Sequence, residues 1–299
     1  MMHFHTLTIA DRAAVQAVTL EAGRRNCNFT FANLVGWQFW YDTEVCVLPD
    51  AVVLRFSLSG DRVYSVCTKG TPSCELLQAI YEDSGHRLTL MALEDEAALQ
   101  LQQNACLKGM DITVRSSRDH FDYIYLRENL ATLHGSRLQA KRNHVHRFLA
   151  ENPGFEYRPL KPALFDECRR VAALWHDEKE HDNPIYGDTL EAEKRVMETV
   201  FSCWDELGML GGSIFIDGRM VAFTYGAAVT GDTFDVCVEK ADRHVEGAFS
   251  IINQQFCSHL PENFTFVNRE EDMGLPGLRR AKLSYHPEIL LSFNVVHIA

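Results

Sequence analysis

The stretch LGGSIFIDGRMVAFTYGAAVTGDTFDVCVEK, residues 210–240, decides the fold. Two runs of β-forming residues, 210–216 and 220–228, flank Asp217-Gly218, a pair favoured in the two-residue turn of a β-hairpin. A third run of the same kind follows at 233–238. These features predict three consecutive strands, the first two joined as a hairpin.

Helices and further strands are predicted before and after this hairpin in the sequence, because apolar residues recur in those segments at helical or strand spacing. The predicted elements are a strand at 155–158, helices at 164–178 and 190–207, the three strands, a helix at 247–260, a strand at 264–267, a helix at 275–283 and a closing strand at 289–296. Their order resembles that of the GNAT acyltransferase superfamily. That resemblance implies a mixed sheet with helices on both faces and a cleft where two central strands separate.

The first half of the chain shows a looser version of the same order. Its predicted strands lie at 45–48, 52–58, 63–67, 88–92 and 122–126, and its predicted helices at 73–83 and 94–107. We therefore expect an α/β fold, with mixed sheets, in two tandem GNAT-like domains. They would span residues 1–130 and 131–299, with the active site in the second and a basic helix, 137–150, at their junction.

The charge of the chain is acidic overall but uneven. Its 299 residues include 29 Lys and Arg against 41 Asp and Glu, for a net charge of −12. This balance argues against broad nucleic-acid binding, which depends on excess Lys and Arg. Residues 131–150, however, contain four basic residues and no acidic one. A local anion site therefore remains compatible with the composition.

Cysteine usage and hydrophobicity indicate the cellular setting. Nine cysteines are scattered without a C-x-x-C pair, which favours reduced thiols over a disulfide framework. The N-terminus lacks the basic flank and apolar stretch of a signal peptide. The uncharged stretch 28–41 is too short to span a bilayer. We expect a soluble cytoplasmic protein without a transmembrane segment.

Metal ligation and hydrolytic motifs find little support in the sequence. His176 and His181 are five residues apart, whereas a zinc-binding helix needs two histidines at i and i+4. Histidine pairs at 3/5 and 144/146 are only two apart. The chain has neither a G-x-S-x-G nucleophile elbow nor a P-loop. We predict no metal and no permanently bound cofactor.

The basic helix carries Arg137, Lys141 and Arg142 on one face, with Asn143 beside them. It lacks the interleaved acidic residues that form i, i+4 ion pairs on a solvated helix. Two interpretations remain open: an ordinary solvated face, or a cationic wall that binds a phosphate-bearing substrate.

A second candidate for phosphate binding precedes the helix at 247–260. The GNAT phosphate loop has the pattern Arg/Gln-x-x-Gly-x-Gly/Ala, and Arg243-His244-Val245-Glu246-Gly247-Ala248 stands at that place here. Arg243 and Ala248 fit, but Glu246 replaces the first glycine and competes with a phosphate for the free N–H groups of the helix N-terminus. The match is degraded, which weakens the case for acetyl-CoA.

The segment 268–287 has the densest set of functional side chains. It follows a strand end, the edge at which open α/β sheets bind ligands. A surface network of salt bridges is the alternative interpretation. Glu239-Lys240 would lie on the same edge, just past the strand at 233–238. The candidate residues of the segment are Asn268, Arg269, Glu270, Asp272, Arg279, Lys282 and Tyr285.

Several runs together resemble one known family over nearly the whole chain. They are Arg24-Arg25-Asn26-Cys27, Gln139-Ala140-Lys141-Arg142-Asn143-His144, Val221-Ala222-Phe223, Val238-Glu239-Lys240-Ala241, Asn268-Arg269-Glu270-Glu271-Asp272, Gly277-Leu278-Arg279 and Ala281-Lys282-Leu283-Ser284-Tyr285. The family is that of the phosphatidylglycerol lysyltransferase C-terminal domain, also called domain of unknown function 2156. The resemblance implies two tandem GNAT-like domains related to the Fem aminoacyltransferases. Membrane-bound members move an aminoacyl group from aminoacyl-tRNA to a lipid headgroup hydroxyl.

The leading hypothesis is an acyl- or aminoacyl-transferase whose donor is acyl-CoA or the 3′ end of an aminoacyl-tRNA. The acceptor would be an amine or hydroxyl of a small molecule or a headgroup. The expected roles are general base for Glu239 or Glu270, phosphate binding for Arg137, Lys141, Arg142 and Arg269, orientation of a carboxylate or stabilisation of negative charge for Arg279 and Lys282, and proton donation to the leaving group for Tyr285. Two alternatives stay open: an acetyl-CoA-dependent N-acetyltransferase, and a non-catalytic ligand-binding protein on the same fold.

Overall fold

The computed structural model describes residues 2–182 and 187–299, apart from the side chains of residues 105, 175–182 and 187–189. The strands are β1 (His5–Thr6), β2 (Glu44–Leu48), β3 (Ala51–Leu58), β4 (Asp61–Thr68), β5 (Leu88–Leu93), β6 (Ile112–Ser116), β7 (Asp122–Leu126), β8 (Glu156–Pro159), β9 (Leu210–Ile216), β10 (Arg219–Ala228), β11 (Thr233–Ala241), β12 (Phe266–Asn268), β13 (Ile289–Leu291) and β14 (Asn294–Ile298). The helices are α1 (Arg12–Thr19), α2 (Phe31–Gly36), α3 (Gln38–Tyr41), α4 (Cys74–Asp83), α5 (Asp95–Gln102), α6 (Arg127–Thr132), α7 (Gln139–Glu151), α8 (Phe165–Asp182), α9 (Gly187–Ser202), α10 (Trp204–Leu207), α11 (Ala248–His259) and α12 (Pro276–Leu283).

The strands form two seven-stranded sheets of the same plan. The first has the order β1-β2-β3-β4-β5-β14-β6, and the second, read in the same sense, β8-β9-β10-β11-β12-β7-β13. In each sheet the fourth and fifth strands are parallel and the other neighbours are antiparallel. The α/β fold with two GNAT-like mixed sheets is therefore confirmed.

The two sheets exchange one strand. β14, at the C-terminus, lies between β5 and β6 of the first sheet, whereas β7 lies between β12 and β13 of the second. A division of the chain at residue 130 is therefore not the division between the sheets. The predicted closing strand at 289–296 is also two strands, separated at Ser292 and Phe293, with one strand in each sheet.

Residues of both halves share one apolar core. Val15, Phe31 and Leu54 from the first half pack in the same buried cluster as Phe165 and Phe223 from the second. Burial of side chains of this size contributes about 1.5–3 kcal/mol each. The packing of α2 against α9 and β10 thus brings the loop before α2 close to the second sheet.

The cleft of the second sheet opens where β11 and β12 separate. The two strands pair from Thr233–Asp235 against Phe266–Asn268, after which β12 ends and β11 continues to Ala241. Glu239 and Lys240 therefore lie within β11, not past its end as the sequence predicted. The chain after Asn268 leaves the sheet beside the last residues of β11, and this places the candidate site.

Some local expectations were wrong. The basic helix begins at Gln139, so Arg137 precedes it, and β1, α1, α2 and β6 had no predicted counterpart. Cys74 and Cys106 form a disulfide with Cα atoms 5.6 Å apart, because α4 and the turn at 105–107 lie side by side; nine reduced thiols were expected. Within the described residues, no helix is both long and apolar enough to cross a membrane.

Candidate functional site

Four carboxylates and two thiols lie together where the halves meet, and we call this group the acidic pocket. Asp122 opens β7 and Asp235 lies in β11, and both are fully buried. The other members are Glu270, Glu271, Cys27 and Cys237. Burying charged groups together costs free energy unless each has a hydrogen-bond or ionic partner. The partners of these groups therefore determine the chemistry of the pocket.

Asp122 has hydrogen-bond donors on both oxygens. The backbone N–H of Cys27 donates to its Oδ2 at 2.9 Å and the side-chain amide of Asn268 to the same atom at 2.6 Å. The Cys27 thiol lies 3.2 Å from Oδ1. Burial and the neighbouring Glu271 nevertheless raise the pKa of Asp122 to about 7.

Asp235 and Glu270 share a donor from the first half. Thr30 donates its hydroxyl to Oδ2 of Asp235 at 2.7 Å, and the Asn33 amide reaches the same oxygen at 3.1 Å. Asn33 also donates to Oε1 of Glu270 at 2.9 Å. Oδ1 of Asp235 is buried and has no hydrogen-bond partner among the described residues. Burial raises the pKa of both carboxyl groups.

Lys282, on α12, lies beneath the segment that carries the two glutamates. Its ammonium group donates to the carbonyl oxygens of Arg269 at 2.6 Å and Glu270 at 3.1 Å, and also to that of Glu271. Burial lowers the pKa of Lys282, although the nearby glutamates oppose this. The lysine fixes the backbone of this turn, in which Glu270 has a φ of 55°.

On the other side of this segment, Lys141, Arg269, Tyr285 and Glu239 form what we call the basic pocket. Nη2 of Arg269 donates to Glu239 at 2.8 Å, whereas its Nη1 is buried without a partner among the described residues. Nζ of Lys141 lies 4.3 Å from the centre of the Tyr285 ring, and the Arg269 guanidinium 5.0 Å from it. Burial and Arg269 lower the pKa of Lys141. Two cations thus lie against one tyrosine ring, and one of them is paired with Glu239.

Helix α7 covers the N-terminus of α11, where the GNAT phosphate loop would bind pyrophosphate. Gly247 precedes α11 with a φ of 81°, and a Cβ there would lie 2.9 Å from the carbonyl oxygen of His144 on α7. Only glycine fits this close approach without strain. Glu246 is ion-paired with Arg147 of α7. This helix terminus is therefore closed by protein.

A model of the family described as phosphatidylglycerol lysyltransferase, C-terminal, matches residues 21–295. The chain belongs to this family. The match covers both halves and includes every residue of the two pockets, so the resemblance drawn from the sequence is confirmed.

Solved structures agree with the family assignment. A conserved protein of unknown function from Bacteroides thetaiotaomicron is 34% identical with a TM-score of 0.92, and the match covers 100% of both chains. The C-terminal domain of a putative lysylphosphatidylglycerol synthetase from Agrobacterium fabrum is 13% identical with a TM-score of 0.66, over 96% of this chain and 92% of that one. The second likeness shows the shared fold.

An uncharacterized protein of Mycoplasmoides gallisepticum is 20% identical over 223 residues, which are 74% of this chain. The chain spans 66% of that relative's length. Together, the family and the two GNAT-like sheets point to an acyltransferase of the GNAT type or a lysyl-phosphatidylglycerol synthase domain.

Several residues that the sequence predicted to bind substrate make contacts with other protein groups in the structure. Arg142 donates to the carbonyl oxygens of Leu133 and Gly135, so it closes the loop before α7. Asn143 accepts a hydrogen bond from Gln139 at 2.7 Å on the exposed side of the helix. Lys240 is ion-paired with Glu193 at 2.7 Å.

Asp272 and Arg279, also predicted to bind substrate, are ion-paired with each other at 2.7 Å. Arg279 bonds Asp119 as well, and the Tyr123 hydroxyl donates to Asp272. Burial opposes ionisation of Asp272, but the hydrogen bonds from Arg279 and Tyr123 hold its pKa well below the usual range. The pair holds the segment after Glu271 in place.

Arg137 is exposed and lines a cleft of about 710 Å³ together with Tyr285, His286 and Leu290. The cleft opens beside the basic pocket because Tyr285 contributes to both. Lys141 and Arg269, which the sequence also predicted to bind phosphate, lie together against the Tyr285 ring, whereas Arg137 lines the cleft.

The sequence did not single out Asp122, Asp235, Asn33 or Cys237. Asp235 carried a signal, since it is the one charged residue in the apolar run 233–238. The metal-type groups of the pocket are Cys27 with Asp122 and Glu271, and Asp235 with Cys237 and Glu270. The side chains of His176 and His181, considered above as ligands, lie outside the described residues.

Proposed function

We propose that the protein is an acyl- or aminoacyl-transferase whose donor carries a phosphate and is bound in the basic pocket. The acceptor is an amine or hydroxyl of a small molecule or headgroup. Support comes from one observation above all: Arg269 and Lys141 converge beside Tyr285, and Nη1 of Arg269 is buried without a partner among the described residues. A buried guanidinium N–H requires an acceptor, and a phosphate oxygen supplies one.

The 3′ end of an aminoacyl-tRNA fits this site better than acyl-CoA. CoA binding in a GNAT fold relies on free N–H groups at a helix N-terminus. Here α7 packs on that terminus at Gly247, and the carboxylate of Glu246 lies beside it. Lys141, the basic residue of 131–150 that lies in the basic pocket, suits the tip of a tRNA, and the acidic remainder of the chain disfavours a larger footprint.

Glu239 is the general base in this proposal, because its carboxylate lies in the basic pocket, 2.8 Å from Arg269. The attacking amine or hydroxyl forms a bond to the donor's carbonyl carbon, its proton passes to the carboxylate of Glu239, and the ester or thioester bond to the leaving group breaks. Glu270 is less suited because its carboxylate faces Asn33 in the acidic pocket, on the other side of the segment 269–271.

Tyr285 protonates the leaving oxygen. Burial raises the pKa of its hydroxyl, so this group is protonated at neutral pH and can donate. Its ring lies against both Lys141 and Arg269, next to the phosphate that we place there. Lys282 takes no chemical part, since its ammonium is used to hold the backbone of residues 269–271.

The experiment is a transfer assay on the purified protein with radiolabelled aminoacyl-tRNA pools or acetyl-CoA and panels of amines and headgroup alcohols. We expect transfer from aminoacyl-tRNA, with Glu239→Gln lowering kcat at least about a hundredfold and Lys141→Ala raising KM. If neither variant changes the rate of transfer, the assignment of the site is contradicted. Transfer from acetyl-CoA alone favours the N-acetyltransferase alternative, and binding without transfer favours a non-catalytic protein.

A further inference from the structure

Three potential ligand atoms converge on one side of the acidic pocket. A carboxylate oxygen of Asp235, Sγ of Cys237 and a carboxylate oxygen of Glu270 all lie within 4.8 Å of one another. Sγ of Cys237 is 3.8 Å from Oδ2 of Asp235. In a tetrahedral site with metal–sulfur and metal–oxygen bonds of about 2.3 and 2.0 Å, such atoms are about 3.5 Å apart. The distance between Cys237 and Asp235 is close to that spacing.

The hydrogen bonds around this set leave ligand positions open. Thr30 and Asn33 occupy Oδ2 of Asp235, and Asn33 also occupies Oε1 of Glu270. Oδ1 of the fully buried Asp235 has no partner among the described residues. Donors that hold one oxygen of a ligating carboxylate are typical of the outer shell of a metal site.

The charge of the pocket also calls for a cation. Among the residues that the structure describes, the four carboxyl groups lie near one buried ammonium, that of Lys282, whose hydrogen bonds go to backbone carbonyls. Buried charges are paired or coordinate metals. The second group, Cys27 with Asp122 and Glu271, is less open, because Asp122 already receives the Cys27 N–H, the Asn268 amide and the Cys27 thiol.

We propose that Asp235, Cys237 and Glu270 bind a divalent metal ion of the Zn²⁺ class, with water as a further ligand. A thiolate with two carboxylates favours Zn²⁺ or Co²⁺ over Mg²⁺ and Ca²⁺, which prefer oxygen ligands. The sequence predicted no metal because that prediction rested on histidine spacing, whereas these ligands come from β11 and the segment after β12. The assignment stands whether or not the protein catalyses transfer.

Cobalt provides the test, because a Co²⁺–thiolate bond produces a charge-transfer absorption in the near ultraviolet. Metal-free full-length protein is titrated with Co²⁺, and bound metal is counted after gel filtration. We expect one Co²⁺ per chain, the absorption band, and displacement by Zn²⁺. Cys237→Ser should remove the band and weaken binding at least tenfold. Two control variants, Cys46→Ser and Cys27→Ser, should keep both the absorption band and the affinity for Co²⁺. Cys46 is another buried thiol and lies on β2 of the first sheet.

Thermal unfolding of each variant controls for misfolding, and the wild-type unfolding temperature should rise with added Zn²⁺. If Cys237→Ser does not fold, Asp235→Asn serves as the second variant with the same expected loss of binding. Absence of stoichiometric binding by the wild type overturns the proposal. A band that survives in Cys237→Ser but disappears in Cys27→Ser also overturns it, since the metal would then lie at the other group.

Discussion

Nζ of Lys282 lies 2.6 Å from the carbonyl oxygen of Arg269, and the same ammonium also binds the carbonyl oxygens of Glu270 and Glu271. This contact determines the course of the chain after β12. Arg269 faces Glu239 in the basic pocket, whereas Glu270 faces Asn33 in the acidic pocket. One buried lysine thereby holds the two pockets on opposite sides of a three-residue segment.

Replacement of Lys282 tests this relationship. Lys282→Met should lower the free energy of unfolding by about 3 kcal/mol, because it leaves buried carbonyl groups and carboxylates without their cation. Urea unfolding followed by circular dichroism measures the change. Lys161→Met, at an exposed position, should change stability by less than about 0.5 kcal/mol. Equal effects of the two substitutions would contradict the structural role of Lys282.

Asp122 makes stability depend on pH in a defined direction. Its pKa in the folded chain is about 7, above the ordinary value of 3.8, so the folded state binds the proton more tightly than the unfolded state. The stabilisation that this tighter proton binding gives the folded state is complete below about pH 4. It is lost as the pH rises towards and through 7, so the free energy of unfolding falls over this range.

Asp122→Asn should reduce this pH-dependent loss by up to about 3 kcal/mol. Asp235 and Glu270, whose pKa values are also raised, retain part of the slope. Urea midpoints of the metal-free protein at pH 5, 6, 7 and 8 measure it, with the exposed Asp50→Asn as the matched control. If the urea midpoint of Asp122→Asn falls with pH as steeply as that of the wild type, Asp122 is ionised in the folded protein over this whole pH range.

The Glu239–Arg269 ion pair is nearly buried, with side chains 11% and 12% exposed. Glu239→Gln should destabilise the protein by about 3 kcal/mol, because a guanidinium without its counter-ion remains inside the protein. Glu156→Gln breaks the exposed pair with Arg158 and should cost less than about 1 kcal/mol. Chemical denaturation of the two variants gives the comparison, and a larger loss in Glu156→Gln would exclude the assigned role.

The strand exchange predicts which fragments fold. A fragment of residues 117–291 retains all strands of the second sheet, whereas 131–299 lacks β7, which lies between β12 and β13. We expect the first to unfold cooperatively and the second to lack a cooperative transition, as measured by circular dichroism on heating. Cooperative unfolding of 131–299 alone would mean that β7 is dispensable.

The order of elements was predictable because it depends on local signals. The Asp217-Gly218 turn and the alternation of helical and strand patterns identified β9, β10 and α11 within a few residues. The exchange of β7 and β14 between the sheets was not predictable in this way, because Asn294 pairs with Leu93, about two hundred positions earlier in the chain. Local patterns indicate a strand but not its neighbour.

The site was predictable to the extent that its residues are crowded in one segment. Residues 268–285 supplied Arg269, Glu270, Lys282 and Tyr285, although residue types alone did not distinguish a lysine that binds carbonyl groups from one that binds substrate. Asn33 and Asp122 come from other segments and meet the glutamates only through tertiary packing. The charged pair Asp272–Arg279, equally conspicuous in the sequence, is structural.

Binding of the donor by Lys141 and Arg269 is the central claim, and calorimetric titration with a non-hydrolysable aminoacyl-nucleotide that corresponds to the 3′ end of a charged tRNA tests it most directly. Loss of a charge-assisted hydrogen bond costs about 1.5–3 kcal/mol, so Lys141→Ala should bind at least about tenfold more weakly than the wild type. The exposed control Lys161→Ala should bind equally well, and CoA more weakly than the nucleotide. Unchanged affinity in Lys141→Ala, or tighter binding of CoA than of the nucleotide, would contradict the account.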